Sequence, residues 1–131
     1  MKAIIVDDNV MVCERVRNML KRIHGVDIVG EAHNVPEAIS SIATLKPDIV
    51  ILDLQLPGGT GLDVLKSAKK YSPTPLVIIL TNYPYPQYRK RCLDEGADYF
   101  FDKSIEFDKV AEVFDQLHVA TILDRSLAVD A

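Results

Sequence analysis

Tryptophan is absent from this chain of 131 residues, and cysteine occurs only at Cys13 and Cys92. The first absence removes tryptophan fluorescence as a reporter of binding. The second rules out a C-x-x-C pair, so the two thiols read as reduced, packed side chains of a reducing compartment. His24, His33 and His118 have no ligand-like spacing to each other or to the cysteines, and read as surface or internally satisfied residues. No apolar run approaches the roughly 20 residues that span a bilayer, and the N-terminus lacks a signal-peptide pattern. An excess of positive charge is missing as well. The net charge of -4 argues against nucleic acid or an anionic membrane as a direct partner. A cytoplasmic location is the expectation.

What remains is ordinary in bulk and informative in order. Hydrophobic content of 48% and charged content of 26% suit a globular domain. A chain of this length buries roughly two thirds of the surface its unfolded form exposes. Short apolar runs alternate with helical periodicity throughout, which predicts a parallel sheet covered by helices on both faces. The first strand, Ala3 to Val6, runs into Asp7-Asp8. Val16, Met19, Leu20 and Ile23 then mark a helix from about Asn9 to His24. Val26 to Ala32 is the second strand. Asn34-Val35-Pro36-Glu37 starts the second helix, with inner residues Ala38, Ile39, Ile42 and Leu45 and a stop at Lys46-Pro47. The third strand, Ile49 to Leu52, ends on Asp53, and Pro57 to Gly61 form a turn-rich loop.

Thr60 and Asp63 form a capping-box pattern for the third helix, which buries Leu62, Leu65 and Ala68. Leu76 to Leu80 form the fourth strand, which ends on Thr81; a fourth helix runs from about Gln87 to Glu95 and closes at Gly96. Tyr99 to Asp102 form the fifth strand, which ends on Lys103. Ser104 is expected to cap the fifth helix, with inner residues Phe107, Val110, Ala111, Phe114 and Leu117. Arg89-Lys90-Arg91 reads as a solvated helix face, and Tyr83, Tyr85 and Tyr88 as side chains packed around their loop.

In an open parallel sheet, ligands bind at the carboxyl ends of the strands. Asp7, Asp8, Asp53, Thr81 and Lys103 all fall there. A single Asp at such a place is often only a helix cap. Three clustered carboxylates repel one another, which favours a divalent cation among them, and magnesium needs only one or two carboxylates plus water. A carboxylate can also attack phosphorus and form an aspartyl-phosphate, with a lysine and a hydroxyl holding the phosphoryl oxygens.

In order and spacing, the acid pair Asp7-Asp8, then Asp53, Pro57, Gly61, Thr81, Gly96-Ala97-Asp98 and Lys103, resembles the response-regulator receiver domain of two-component signalling. The likeness covers residues 2 to about 118. It implies a doubly wound, flavodoxin-like five-stranded parallel sheet of order 2-1-3-4-5 with five helices. It divides the chain into a receiver domain, 1–118, and a C-terminal extension or tail, 119–131. Asp53 matches the phosphoacceptor that a sensor histidine kinase or phosphotransfer protein would serve. Asp8, Asp53 and the backbone carbonyl of Gln55 match ligands of magnesium (or manganese), with Asp7 acting through water. Thr81, Lys103 and the Asn82 backbone match the phosphoryl-binding groups, and Thr81 and Phe100 the switch pair. Gln55 and Tyr83 match positions that tune hydrolysis of the acyl phosphate, and Asn82 is larger than the usual residue, which together imply slowed self-dephosphorylation. Val12 and Arg15 match positions that meet kinase helices.

The resemblance implies a stand-alone signalling protein, with the receiver portion of a longer regulator as the alternative, rather than an enzyme with an external substrate. Its output would be contact with a downstream protein, with dimerisation through helix four, strand five and helix five as a family habit. A cis peptide often follows the lysine where proline stands next, whereas here Ser104 follows. Two other classes stay open. An Asp-nucleophile phosphatase typically carries a second Asp where Gln55 stands, and a pseudo-receiver would bind protein without taking phosphate.

Overall fold

The computed structural model describes residues 1–118; the expected tail, 119–131, lies outside them. In chain order the elements are β1 (Lys2–Val6), α1 (Val10–Leu20), β2 (Asp27–Ala32), α2 (Val35–Leu45), β3 (Ile49–Leu52), β4 (Gln55–Leu56), β5 (Gly59–Thr60), α3 (Gly61–Ala68), β6 (Leu76–Thr81), α4 (Pro86–Asp94) and β7 (Tyr99–Asp102). A fifth helix, α5, begins at residue 109 and runs through 118. The main sheet has the order β2-β1-β3-β6-β7, and every pairing in it is parallel. With the small β4–β5 hairpin set aside, this is the expected 2-1-3-4-5 order.

The central strands are buried on both faces, which is why they read as continuous apolar runs rather than alternating ones. Ile4, Val6, Val50, Leu52, Val77 and Ile79 point to a core closed by Ala38 and Ile42 of α2, Val64 and Leu65 of α3, and Cys92 of α4. Ala3, Ile5, Ile49, Ile51, Ile78 and Leu80 point the other way, onto Val16 and Leu20 of α1 and Val110 and Phe114 of α5. Each fully buried Ile, Leu or Val contributes roughly 1.5–3 kcal/mol relative to exposure. The two cores clamp the sheet from both faces, and the polar residues at the carboxyl ends of the strands lie beyond them.

Helix starts follow local chemistry. The Asn9 side chain accepts from the amides of Met11 and Val12 to cap α1, and Asn34 accepts from Glu37 to cap α2. Lys46 ends α2 in a left-handed conformation at φ 48°, ahead of Pro47. Thr60 and Asp63 form the expected capping box.

Four expectations need correction. Helix α1 ends at Leu20, not His24, because a turn intervenes before β2. Ser104 does not cap the fifth helix. Its amide donates to Asp102 Oδ1 and the Glu106 amide to the Asp102 carbonyl, so a turn comes first and the helix starts only at residue 109. Phe107 is buried in that turn, and Val113 lies deeper than Ala111. The 57–61 segment is not only loop: β4 and β5 pair antiparallel there, through Gln55–Thr60 and Leu56–Gly59.

Candidate functional site

The site is built by pairing that continues past the ends of the strands. The Asp53 amide donates to the Val6 carbonyl at 2.9 Å, and the Asp7 amide to the Ala32 carbonyl at 3.0 Å. The Lys103 amide donates to the Thr81 carbonyl at 2.9 Å. These bonds hold the polar residues one step beyond the hydrophobic ladder, so their side chains meet at one edge. The carboxylates of Asp7, Asp8 and Asp53 each offer an oxygen within 4.8 Å of the others. Lys103 Nζ lies 2.6 Å from Asp7 Oδ2 and 3.0 Å from Asp53 Oδ2.

Burial divides this set. Asp7, Asp53, Thr81 and Lys103 are buried, whereas Asp8 is exposed. Asp8 makes no hydrogen bond or ion pair among the described residues, although it stands beside two further acids. Helix capping does not account for the acid pair, because Asn9 caps α1. Asp7 Oδ1 instead accepts from the Asn9 amide at 2.9 Å, which leaves Oδ2 for the lysine.

The electrostatics fit a cation. Burial pushes the Asp53 carboxyl above its usual 3.8; the Lys103 charge and hydrogen bond offset part of this, and the Asp7 charge adds to it. Burial alone would lower Lys103, but its bonds to Asp7 and Asp53 outweigh that and raise it above 10.5. Three carboxylates against one ammonium leave two negative charges, which one divalent ion would balance. Oxygen-only donors with one solvent-facing carboxylate suit a hard ion that keeps waters.

The remaining residues surround this centre. The Gln55 amide approaches Asp53 Oδ1 at 3.4 Å, and its side chain is exposed. Thr81 Oγ1 is fully buried and accepts from the Tyr83 amide at 3.0 Å; among the described residues it makes no bond to the carboxylates. Asn82 is exposed, and the Lys103–Ser104 peptide is trans. Phe100 is 4% exposed and packs in the core beside Cys92 and Ala97. Arg89 reaches over it, with Nη1 donating to the Phe100 carbonyl at 3.1 Å. Val12 and Arg15 lie on α1, and the Arg15 guanidinium sits 3.7 Å from the centre of the Phe107 ring.

Two readings change here. Tyr83, Tyr85 and Tyr88 contact one another but remain at least 37% exposed, so they are surface rings rather than loop filling. Arg89 is tied to the site by its bond to β7 and is not simply a solvated charge. Sequence reasoning also missed Cys13, whose thiol donates to the Asp7 carbonyl at 3.4 Å. Its helical spacing with Val16 and Leu20 signalled only that it faces inward.

Residues 3–115 match the sequence profile of the response regulator receiver domain. The chain belongs to this family. The receiver is 36% identical over 103 residues to the DNA-binding transcriptional activator EvgA of Escherichia coli K12, covering 79% of this chain and 50% of that one. It is 34% identical over 127 residues to a protein-glutamate methylesterase/protein-glutamine glutaminase of Carboxydothermus hydrogenoformans, covering 95% of this chain and 37% of that one. The receiver thus spans about half, or less, of the length of these curated relatives. Among solved structures, the response regulator domain of Thermotoga maritima CheB superposes with a TM-score of 0.79 at 25% identity, over 92% of this chain and 95% of that one. The isolated REC domain of RcsB from Salmonella enterica serovar Typhimurium, in the presence of phosphomimetic BeF3-, gives 0.74 at 30% identity, over 79% and 78%. No helix among the described residues is long and apolar enough to cross a membrane.

Proposed function

We propose that this receiver takes a phosphoryl group on Asp53 from a phosphohistidine of a sensor histidine kinase or phosphotransfer protein, and signals by contact with a downstream protein. The observation that carries this reading is the buried Asp53 carboxylate, bonded to Lys103 at 3.0 Å and flanked by Asp7 and Asp8. Asp8, Asp53 and the Gln55 carbonyl would hold magnesium (or manganese), with Asp7 acting through water. Bound there, the ion supplies positive charge that offsets the charge on the phosphoryl oxygens.

Asp53 attacks phosphorus as the P–N bond breaks; the leaving imidazole keeps that electron pair and takes up a proton from solvent. Lys103 exchanges its bond to Asp53 for one to a phosphoryl oxygen, so its charge follows the transferred group. The Thr81 hydroxyl turns from the Tyr83 amide to donate to the same group, and the Asn82 backbone lines it. The Thr81 movement pulls on the 82–85 segment that leads into α4, where Arg89 and Phe100 join α4 to β7. That is how a local change in charge reaches a protein-binding face. Asn82 and Tyr83 are exposed and directly follow Thr81, and slow loss of the phosphoryl group is the expected outcome of these residues screening it from water.

Acetyl phosphate with magnesium tests the proposal, read by intact mass. One phosphoryl group should add to the wild-type chain and none to Asp53→Asn or to chain in excess chelator. Turnover of an external phosphoester would favour the hydrolase instead, and an inert chain the binding module.

A further inference from the structure

Cys13, Glu31 and His33 meet beside β1 at the edge of the phosphoacceptor pocket, although they are scattered in sequence. The Cys13 Sγ, a Glu31 carboxylate oxygen and a His33 ring nitrogen all lie within 4.8 Å of one another. We propose that these three side chains bind a thiophilic divalent cation, with zinc as the fitting occupant, at a site distinct from the Asp7–Asp8–Asp53 centre.

The donor set decides the class of ion. Thiolate, imidazole and carboxylate together suit zinc, whereas magnesium and calcium take oxygen donors. Three protein ligands with an open fourth position form an exchangeable centre rather than a closed structural one. Cys13 is fully buried and makes the inner wall. Glu31 is fixed by β2, paired with Ile5 of β1. His33 follows β2, and its side chain is 41% exposed, which gives the ion an entry path and a water for its fourth position.

The carboxylate of Glu31 is already divided between two partners. Arg17 holds Oε1, while Oε2 lies 2.6 Å from His33 Nε2. A cation takes the place of the proton shared across that second contact, and Arg17 then orients the ligating carboxylate from behind. The protons balance. Cys13 loses its thiol proton to solvent as the S–metal bond forms. The proton between His33 Nε2 and Glu31 Oε2 leaves to solvent where the ring is charged, or is replaced by one on Nδ1 where it is neutral, so His33 binds as neutral imidazole through Nε2 and nothing is oxidised or reduced. The thiol proton released is the one donated to the Asp7 carbonyl, so occupancy acts directly on the backbone of the phosphoacceptor pocket.

Cobalt serves as a spectroscopic probe, added to the whole chain in saturating magnesium so that the acidic centre is occupied. Expected is one cobalt per chain with a thiolate-to-cobalt charge-transfer band, removed stoichiometrically by zinc. Cys13→Ser should abolish the band, and Asp53→Asn should retain it. His33→Gln, at a half-buried position on the loop after β2, should weaken cobalt binding ~10-fold or more with Tm unchanged. The proposal fails if cobalt binds without the band, if the band survives Cys13→Ser, if it disappears in Asp53→Asn, or if His33→Gln binds as tightly as wild type.

Discussion

Replacing Gly61 by alanine tests whether the phosphoacceptor loop is held by direct backbone packing. A Cβ at this position would stand 2.1 Å from the Asp53 carbonyl oxygen and 2.8 Å from the Leu54 Cα. An ordinary carbon–oxygen contact is close to the 3.5–4.0 Å optimum of non-bonded carbon atoms, so the loop must retreat by about 1 Å or more. The obstacle is backbone and has no rotamer to change. Overpacking of this kind costs about 1–3 kcal/mol, and stretching the 2.8 Å bond from the Gly61 amide to the Leu54 carbonyl costs about 1 kcal/mol more. Alanine recovers up to about 1 kcal/mol of helix propensity at the start of α3. The net loss is about 2 kcal/mol, or a fall in Tm of about 4–10 °C by thermal unfolding. The displaced residue is the proposed nucleophile itself, so the acetyl phosphate reaction should slow ~100-fold, as misplacement by about 1 Å can produce. A variant that keeps both the wild-type Tm and the wild-type adduct rate would refute the claim that Gly61 positions Asp53.

The same geometry sets other outcomes. Asp53→Asn should raise Tm at neutral pH without magnesium, because the folded state holds the ionised Asp53 at a cost. The Asp53 carboxyl is raised above 3.8 in the folded state, so the wild type loses stability as pH rises through that raised value. The advantage of Asn should therefore shrink on acidification toward 3.8, and an advantage that grows in acid would contradict the argument. Burial pushes the thiol of Cys13 up to about 12 and that of Cys92 to about 11. Both should resist alkylation in the native chain at pH 8 and react fully once it is unfolded. Cys92, which lines a cavity of about 200 Å³ between α3 and α4, should be the faster of the two. Arg15→Ala removes the stacking on Phe107 and should cost about 0.5–1 kcal/mol in chemical denaturation. It should leave the acetyl phosphate reaction unchanged and slow transfer from a partner kinase; equal slowing of both would argue against a docking role.

The parts of the fold legible in sequence were those fixed by periodicity and by residues of single purpose. The β3 run Ile49–Leu52 is apolar at every position because both faces are covered, so neither strand nor endpoint was ambiguous. Asn34 with Pro36 and Glu37 specified its helix start through short-range bonds alone. Ser104 misled because a residue caps a helix only if the next amides are free to bond to it, and here Asp102 and Glu106 satisfy the local amides first. The hairpin at Gln55–Thr60 was hidden among glycines, whose turn signal is the same whether or not the flanking residues pair. The candidate site was readable because each member ends a strand. The Cys13–Glu31–His33 cluster was not, because its members come from three local structures that meet only once β1 and β2 are in register.

The pocket also shows why its charges are better understood as a device than as support for the fold. A core designed only for stability would not hold Asp53 beside Asp7, since desolvation opposes the Asp53 charge and the Asp7 charge adds to that opposition. Lys103 compensates for part of this, with contacts of 2.6 and 3.0 Å, but one cation cannot neutralise two buried acids and the exposed Asp8 beside them. The uncompensated remainder is lowered by whatever brings positive charge to the edge of the sheet. A divalent ion does so directly. Under the proposed function, a phosphoryl group held by Lys103 and Thr81 would move the lysine away from Asp53, and the balance among Asp7, Asp8 and the ion would reset. The fold tolerates this cost because the two apolar cores, one on each face of the sheet, hold the strands in place beneath the charged edge.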